Sequence, residues 1–136
     1  MMKKLFILSA ICALLCSCGS EKKVEGNVKD LYGEWIIEQV NGLGTEGGMK
    51  QPFINFAADG KVNGNASVNS FFGAYELRGD TLKMGNLGMT RMMGPSMDVE
   101  DAIVKVLGES VTISVKKDVA TVMDKEGNTV MKLRKK

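Results

Sequence analysis

From residue 30 onward the apolar positions of this chain recur mostly at every second residue, the period of a half-buried strand. Glu34 to Val40 carries Trp35, Ile36, Ile37 and Val40 and stops at Asn41-Gly42. Phe53 to Ala57 runs into Asp59-Gly60, a strong hairpin signal, and Lys61 to Asn65 is the return strand. Ala74 to Leu77 and Thr81 to Met84 flank the tight turn Arg78-Gly79-Asp80. Near the end, Val111, Ile113 and Val115 alternate with Thr112 and Ser114. Val119 to Met123 and Thr129 to Leu133 then complete a three-stranded meander, with breaks at Lys117-Asp118 and Lys125-Glu126-Gly127-Asn128.

One segment departs from this rhythm. Val99, Ala102, Ile103, Val106 and Leu107 recur at i, i+3, i+4, i+7 and i+8, which predicts an amphipathic helix over about 97–107. Ser96 or Asp98 is placed to cap its start, and Gly108 to end it in a left-handed conformation. Asp98, Glu100 and Asp101 suit the positive end of the helix dipole and read as a solvated acidic face. A single helix covers only one opening of a sheet. The expected fold is therefore mainly β (a β-rich α+β class), a small, strongly curved antiparallel sheet or partly open β-barrel plugged by that helix.

Before residue 30 the pattern is of another kind. Lys3 and Lys4 precede the apolar run Leu5 to Leu15, whose eleven residues fall short of the roughly 20 that span a bilayer. Residues 1–17 read as an export signal. Leu15-Cys16-Ser17-Cys18 resembles the bacterial lipobox, with an aliphatic residue three places before the cysteine and a small one directly before it. Cys12 follows Ile11 and Cys16 follows Leu15, both too bulky, so Cys18 is the predicted lipid attachment site. Residues 18–29 form a polar tether, and the 107 residues of 30–136 suffice for one domain with one core. The lipobox resemblance implies a membrane partner through Cys18. No acidic run follows the cysteine, which favours an outer-membrane anchor facing the periplasm over surface exposure.

Loss of the signal narrows the chemistry. Without Lys3 and Lys4 the 18 basic residues fall to 16, equal to the 16 acidic ones, and a neutral domain is a poor match for nucleic acid. Cys12 and Cys16 leave too, so no intramolecular disulfide is available. The sequence holds no histidine, which removes the commonest general base and transition-metal ligand. No nucleophile elbow is present, and neither catalytic residues nor a cofactor are predicted. Gly42-Leu43-Gly44-Thr45-Glu46-Gly47 spells G-x-G-x-x-G, yet Pro52 and a strand follow it rather than a helix, so it reads as a flexible loop. Met84, Met89, Met92, Met93 and Met97 crowd together, and thioethers suit monovalent copper. Methionine is also an adaptable core filler, and no metal site is assigned. Asn65-Ala66-Ser67 and Asp80-Thr81-Leu82 have the forms of glycosylation signals too short to carry weight.

Gly64 to Tyr75 reads Gly-Asn-Ala-Ser-Val-Asn-Ser-Phe-Phe-Gly-Ala-Tyr; Gly79-Asp80-Thr81-Leu82, Gly85 to Met93 and the acidic helix follow. These elements resemble the META domain of HslJ-type lipoproteins, Thr90-Arg91-Met92-Met93 being the most specific. The resemblance marks Asn69, Phe71, Gly73, Thr90, Arg91, Met92 and Met93 as motif residues, structural or partner-binding, with structure the better reading for Asn69 and Arg91. It implies a small barrel with one helix, a secreted or lipid-anchored protein linked to envelope or heat stress, and no enzymatic activity. Many members carry cysteines where this chain has Val68 and Gly94. If those pair, packing of Val68, Phe71 and Phe72 replaces the cross-link here. The expected function is that of a non-enzymatic envelope lipoprotein contributing to envelope integrity or stress tolerance through binding. The alternatives are a carrier of a small apolar ligand or lipid in the barrel interior, lined by Trp35, Phe53, Phe56, Phe71, Phe72 and methionines, and a pilot or inhibitor that binds another envelope protein.

Overall fold

The computed structural model describes residues 28–136; the export signal, Cys18 and nearly all of the tether over 18–29 lie outside them. Ten strands form one antiparallel sheet: β1 (Gly33–Val40), β2 (Leu43–Gly44), β3 (Phe53–Phe56), β4 (Lys61–Asn65), β5 (Ser70–Arg78), β6 (Thr81–Met84), β7 (Gly88–Met89), β8 (Val111–Lys116), β9 (Val119–Met123) and β10 (Thr129–Lys135). Two helices accompany them, α1 (Val28–Leu31) and α2 (Asp98–Leu107). The order is β10-β9-β8-β6-β5-β4-β3-β1, and β1 also pairs with β10, Trp35 opposite Lys135 and Val40 opposite Met131. Eight strands thus close into a barrel, with β2 and β7 as additions. Closure removes most of the unpaired edges that a merely curved sheet would leave; β6 beyond Leu82, which β8 does not reach, keeps one.

Turn chemistry sets the register. Asn41 and Gly42 take φ values of 46° and 77°, as a two-residue hairpin turn with both central residues left-handed requires. β5 is longer than the expected Ala74 to Leu77 because it starts at Ser70. The turn at Gly79-Asp80 joins it to β6, Leu77 opposite Leu82.

Trp35, Ile37 and Val40 of β1, Ile54 and Phe56 of β3, Ile113, Val122 and Leu133 meet in one core. α1, which the periodicity did not predict, adds Leu31, whose carbonyl accepts the Trp35 indole N–H at 2.8 Å. Lys135 Nζ sits 4.8 Å from the Trp35 ring centroid, and Tyr32 O accepts its hydrogen bond. α2 adds Ile103, Val106 and Leu107. α1 leads into the start of β1, whereas Lys105 and Val106 of α2 line a cleft with Asn41, just past its end. The helices therefore cover opposite ends of the barrel.

α2 departs from the expected capping. Met97 is its N-cap residue, with no side-chain hydrogen bond, and Gly108 is right-handed at φ −80°, its N–H bonded to Val104 O and Lys105 O. The chain leaves the helix through a tightened last turn rather than a left-handed glycine.

The G-x-G-x-x-G loop proves to be pinned. β1 has a bulge at Glu38, between Ile37 and Gln39. The carbonyls exposed there are met by Thr45: its N–H donates to Glu38 O at 3.2 Å and its hydroxyl to Ile37 O. Gln51 Nε2 donates to Ile37 O and to Thr45 Oγ1 at 3.0 and 3.1 Å. Thr45 is buried for this reason.

Candidate functional site

The motif residues converge where β5 begins. Asn69, just before β5, is buried and spends its whole amide. Nδ2 donates to Met92 O at 2.9 Å and to Glu100 Oε2 at 2.7 Å. Oδ1 accepts from Met92 N at 2.6 Å and from the Thr90 hydroxyl at 3.0 Å. Two donors and two acceptors each have partners of the right kind, which fixes the orientation of the amide.

Glu100 completes the lock. It lies on the first turn of α2 but is only 4 % exposed, so the expectation of a solvated acidic face holds for Asp98 and Asp101 and is corrected for Glu100. Its Oε1 accepts the backbone N–H groups of Asn69 at 2.6 Å and Val68 at 3.2 Å. A turn that approaches a helix side-on has backbone donors with no ladder partner, and a buried carboxylate satisfies several at once. The helix is thereby tied to the start of β5, about thirty residues earlier in sequence. Nothing in the helix periodicity distinguishes Glu100 from Asp98 and Asp101; its role follows from the loop it faces.

Thr90 closes the other side, exchanging Thr90 N to Ser70 O at 3.0 Å and Ser70 N to Thr90 Oγ1 at 3.1 Å. Segment 88–92 thus runs antiparallel along 69–72, with Phe71 opposite Met89 and Phe72 opposite Gly88. Gly73 answers a close approach: a Cβ there would lie 2.7 Å from Leu87 Cδ2 and 2.9 Å from Asn86 O. Ser67, at φ 95°, holds a strained turn just before the lock, with its N–H bonded to Asn65 Oδ1 at 2.8 Å. Asn65 is itself buried.

The other motif side chains divide by exposure. Phe71 is buried in the core, while Arg91, Met92 and Met93 face solvent, Met93 at 85 %. Arg91 therefore does not share the structural task of Asn69. Phe72 is 59 % exposed and packs outward over Gly88, so it does not join Val68 and Phe71 in replacing a cross-link. Positions 68 and 94 do meet: a Cβ on Gly94 would lie 2.8 Å from Val68 Cγ2 and 3.2 Å from Met49 Sδ. The five methionines take different settings. Met84 and Met89 pack against the core, Met92 and Met93 are exposed, and Met97 Sδ accepts the Gly94 N–H at 3.4 Å.

Two further observations bear on binding. The void bounded by Ile54, Phe56, Leu82, Val106, Val122 and Leu133 measures about 20 Å³, against the roughly 300 Å³ or more of a small-molecule site. An interior carrier is thus corrected: core side chains fill the barrel. Among the described residues, no helix is long and apolar enough to cross a membrane.

A family model described as the META domain matches residues 29–136. Solved structures share the fold. One determined by NMR is 22% identical with a TM-score of 0.63, covering 76% of this chain and 89% of its own. An NMR structure of a protein from Burkholderia xenovorans is 20% identical with a TM-score of 0.59, covering 79% and 85%. A crystal structure of a DUF4847 family protein from Bacteroides vulgatus is 17% identical with a TM-score of 0.51, covering 62% and 59%. No curated protein matches the chain.

Proposed function

The chain belongs to the META-domain family, and from that premise we propose that it is a non-enzymatic, lipid-anchored envelope protein, which supports envelope integrity or stress tolerance by binding another envelope protein. The observation that carries this reading is the contrast between a filled barrel and an apolar strip held outside it. Met92 and Met93 project from the segment that Asn69 and Thr90 fix. Met49 packs beside Gly94 and Phe72 over Gly88, so four exposed apolar side chains flank residues 88–94. Exposed apolar side chains along a fixed segment are what a protein partner would cover. The lipobox-like run ending at Cys18 supports an anchor, placed here in the outer membrane with the domain facing the periplasm.

In situ cross-linking of the full chain tests the reading. A specific adduct is expected from the parent protein and is lost from the Met92→Ser, Met93→Ser double variant, whose exposed positions leave the fold intact. Identical adducts from both would refute the assigned face. Fatty-acid labelling that persists in Cys18→Ser would refute the anchor.

A further inference from the structure

We propose that the gap in the barrel wall between β6–β7 and α2 is a binding groove for the acyl chain and carboxylate of a fatty acid. This site is distinct from the apolar strip and from the filled interior. It arises from an interruption in pairing. β8 joins β6 only at Thr81 and Leu82, so the edge of β6 beyond Leu82 has no strand neighbour. β7 pairs with β5 alone. Between them Gly85–Leu87 stay against β5, the Gly85 N–H bonding Ala74 O at 2.9 Å, so the opening lies on their other side, where Val104, Leu107 and Gly108 at the end of α2 line it without filling it.

The result is a groove of about 700 Å³, inside the roughly 300–1,000 Å³ range of small-molecule sites. Its walls include Leu87, Met89, Leu107 and Val104, the last 41 % exposed on a helix whose other apolar residues are mostly covered. Thioether and branched aliphatic walls adapt to a flexible methylene chain. The charged residues on its lining are Lys83 and Arg91, and no acidic side chain is among them. Neither cation has a carboxylate within 4.0 Å among the described residues. Glu76, directly opposite Lys83 on β5, is bonded to Arg78 instead, and apolar walls with two cations outside any ion pair call for an amphiphile with an anionic head. Arg91 offers a planar fork that matches a carboxylate in two-point contact, and a fatty acid is the simplest amphiphile with that head. This gives an assignment to Arg91, the one polar motif residue that the lock does not use.

Calorimetric titration of the full chain with sodium octanoate, decanoate and dodecanoate tests the proposal. Affinity is expected to rise about two- to fourfold per added methylene, the upper value being full burial. Dodecyltrimethylammonium, with the same tail and an opposite head, is expected to bind at least tenfold more weakly than dodecanoate. Lys83→Ala with Arg91→Ala should weaken dodecanoate at least tenfold, and Val104→Trp should do the same by narrowing the groove where the acyl chain lies. Lys105→Ala, in the neighbouring cleft, should leave it unchanged. No saturable dodecanoate binding at millimolar concentration, no dependence on chain length, equal binding of the cationic amphiphile or tighter binding of dodecyl phosphate would overturn the proposal. So would retention of affinity in both groove variants, with circular dichroism confirming that they fold.

Discussion

Replacing Glu100 should cost far more than replacing its neighbours on the same helical turn. In Glu100→Ala three donors lose their acceptor together: the N–H groups of Val68 and Asn69 and the Asn69 side-chain amide. Hydrogen bonds to a charged group contribute about 1.5–3 kcal/mol each, and removing one partner of a buried charged network costs about 3–5 kcal/mol overall. Interaction with the helix dipole alone would contribute only about 0.3–1 kcal/mol, which is all that Asp101→Ala should lose. Glu100→Gln falls between. Its amide keeps one acceptor oxygen for the backbone donors but turns an NH2 group toward Asn69 Nδ2, donor against donor. Asn69 gains nothing by flipping, because Oδ1 already accepts from Met92 N and Thr90. The expected losses are about 3–5 kcal/mol for Ala, about 1.5–3 for Gln and under about 1 for Asp101→Ala. Urea unfolding followed by the fluorescence of Trp35, the one tryptophan of the sequence and fully buried, measures all three. Glu100→Ala within about 1 kcal/mol of the parent, or equal to Asp101→Ala, would refute the lock.

Further outcomes follow from other contacts. Val68→Cys with Gly94→Cys should form a disulfide, since a Cβ at 94 already falls 2.8 Å from Val68 Cγ2; closing that loop should stabilise the domain by about 3 kcal/mol, read as a Tm rise that a reductant reverses. Gly94→Ala alone should destabilise it, because the same contact becomes a clash. Asp124 has its carboxyl held below the ordinary value of 3.8, chiefly by the Asn128 backbone N–H. Its contribution is present at neutral pH and lost as pH falls through the depressed folded value, so Asp124→Asn should be less stable than the parent at pH 7 and match it in strong acid. Tyr75 titrates above 10.0 because burial disfavours its phenolate, with Tyr32 and Asp59 adding to the shift, and its hydroxyl donates to Ala57 O at 2.7 Å. That contribution is complete below pH 10.0 and lost as pH rises through the folded value; Tyr75→Phe should lack this alkaline step.

The barrel was legible because its information is local. Alternation in β1, β8, β9 and β10 and the turns at Asn41-Gly42 and Gly79-Asp80 need no distant partner to be read. The i, i+3, i+4 spacing of α2 is equally self-contained. Less legible was whatever depends on where a strand lands. Nothing local says that Trp35 will face Lys135, and so the sheet could not be read as closed. The tie of Thr45 to a bulge in β1 is hidden because the bulge exists only against β10. Glu100 was misread for the same reason: acids at a helix start have a sufficient local explanation, and the decisive partner, Asn69, is 31 residues away.

That distance also governs how variants of the motif must be interpreted. Asn69 bonds both the N–H and the carbonyl of Met92, so it sets the backbone from which Met92 and Met93 project. It touches Glu100 with the same amide and so also carries a share of the domain's stability. A loss of partner binding in Asn69→Ala therefore has two sufficient causes, a displaced surface or a smaller folded population. The side chains of Met92 and Met93 take no part in the lock and face water. Losses at those two positions, with unfolding free energy unchanged, report contact alone. An Asn69 phenotype gains meaning only when its unfolding curve shows the domain still folded under the conditions of the binding assay.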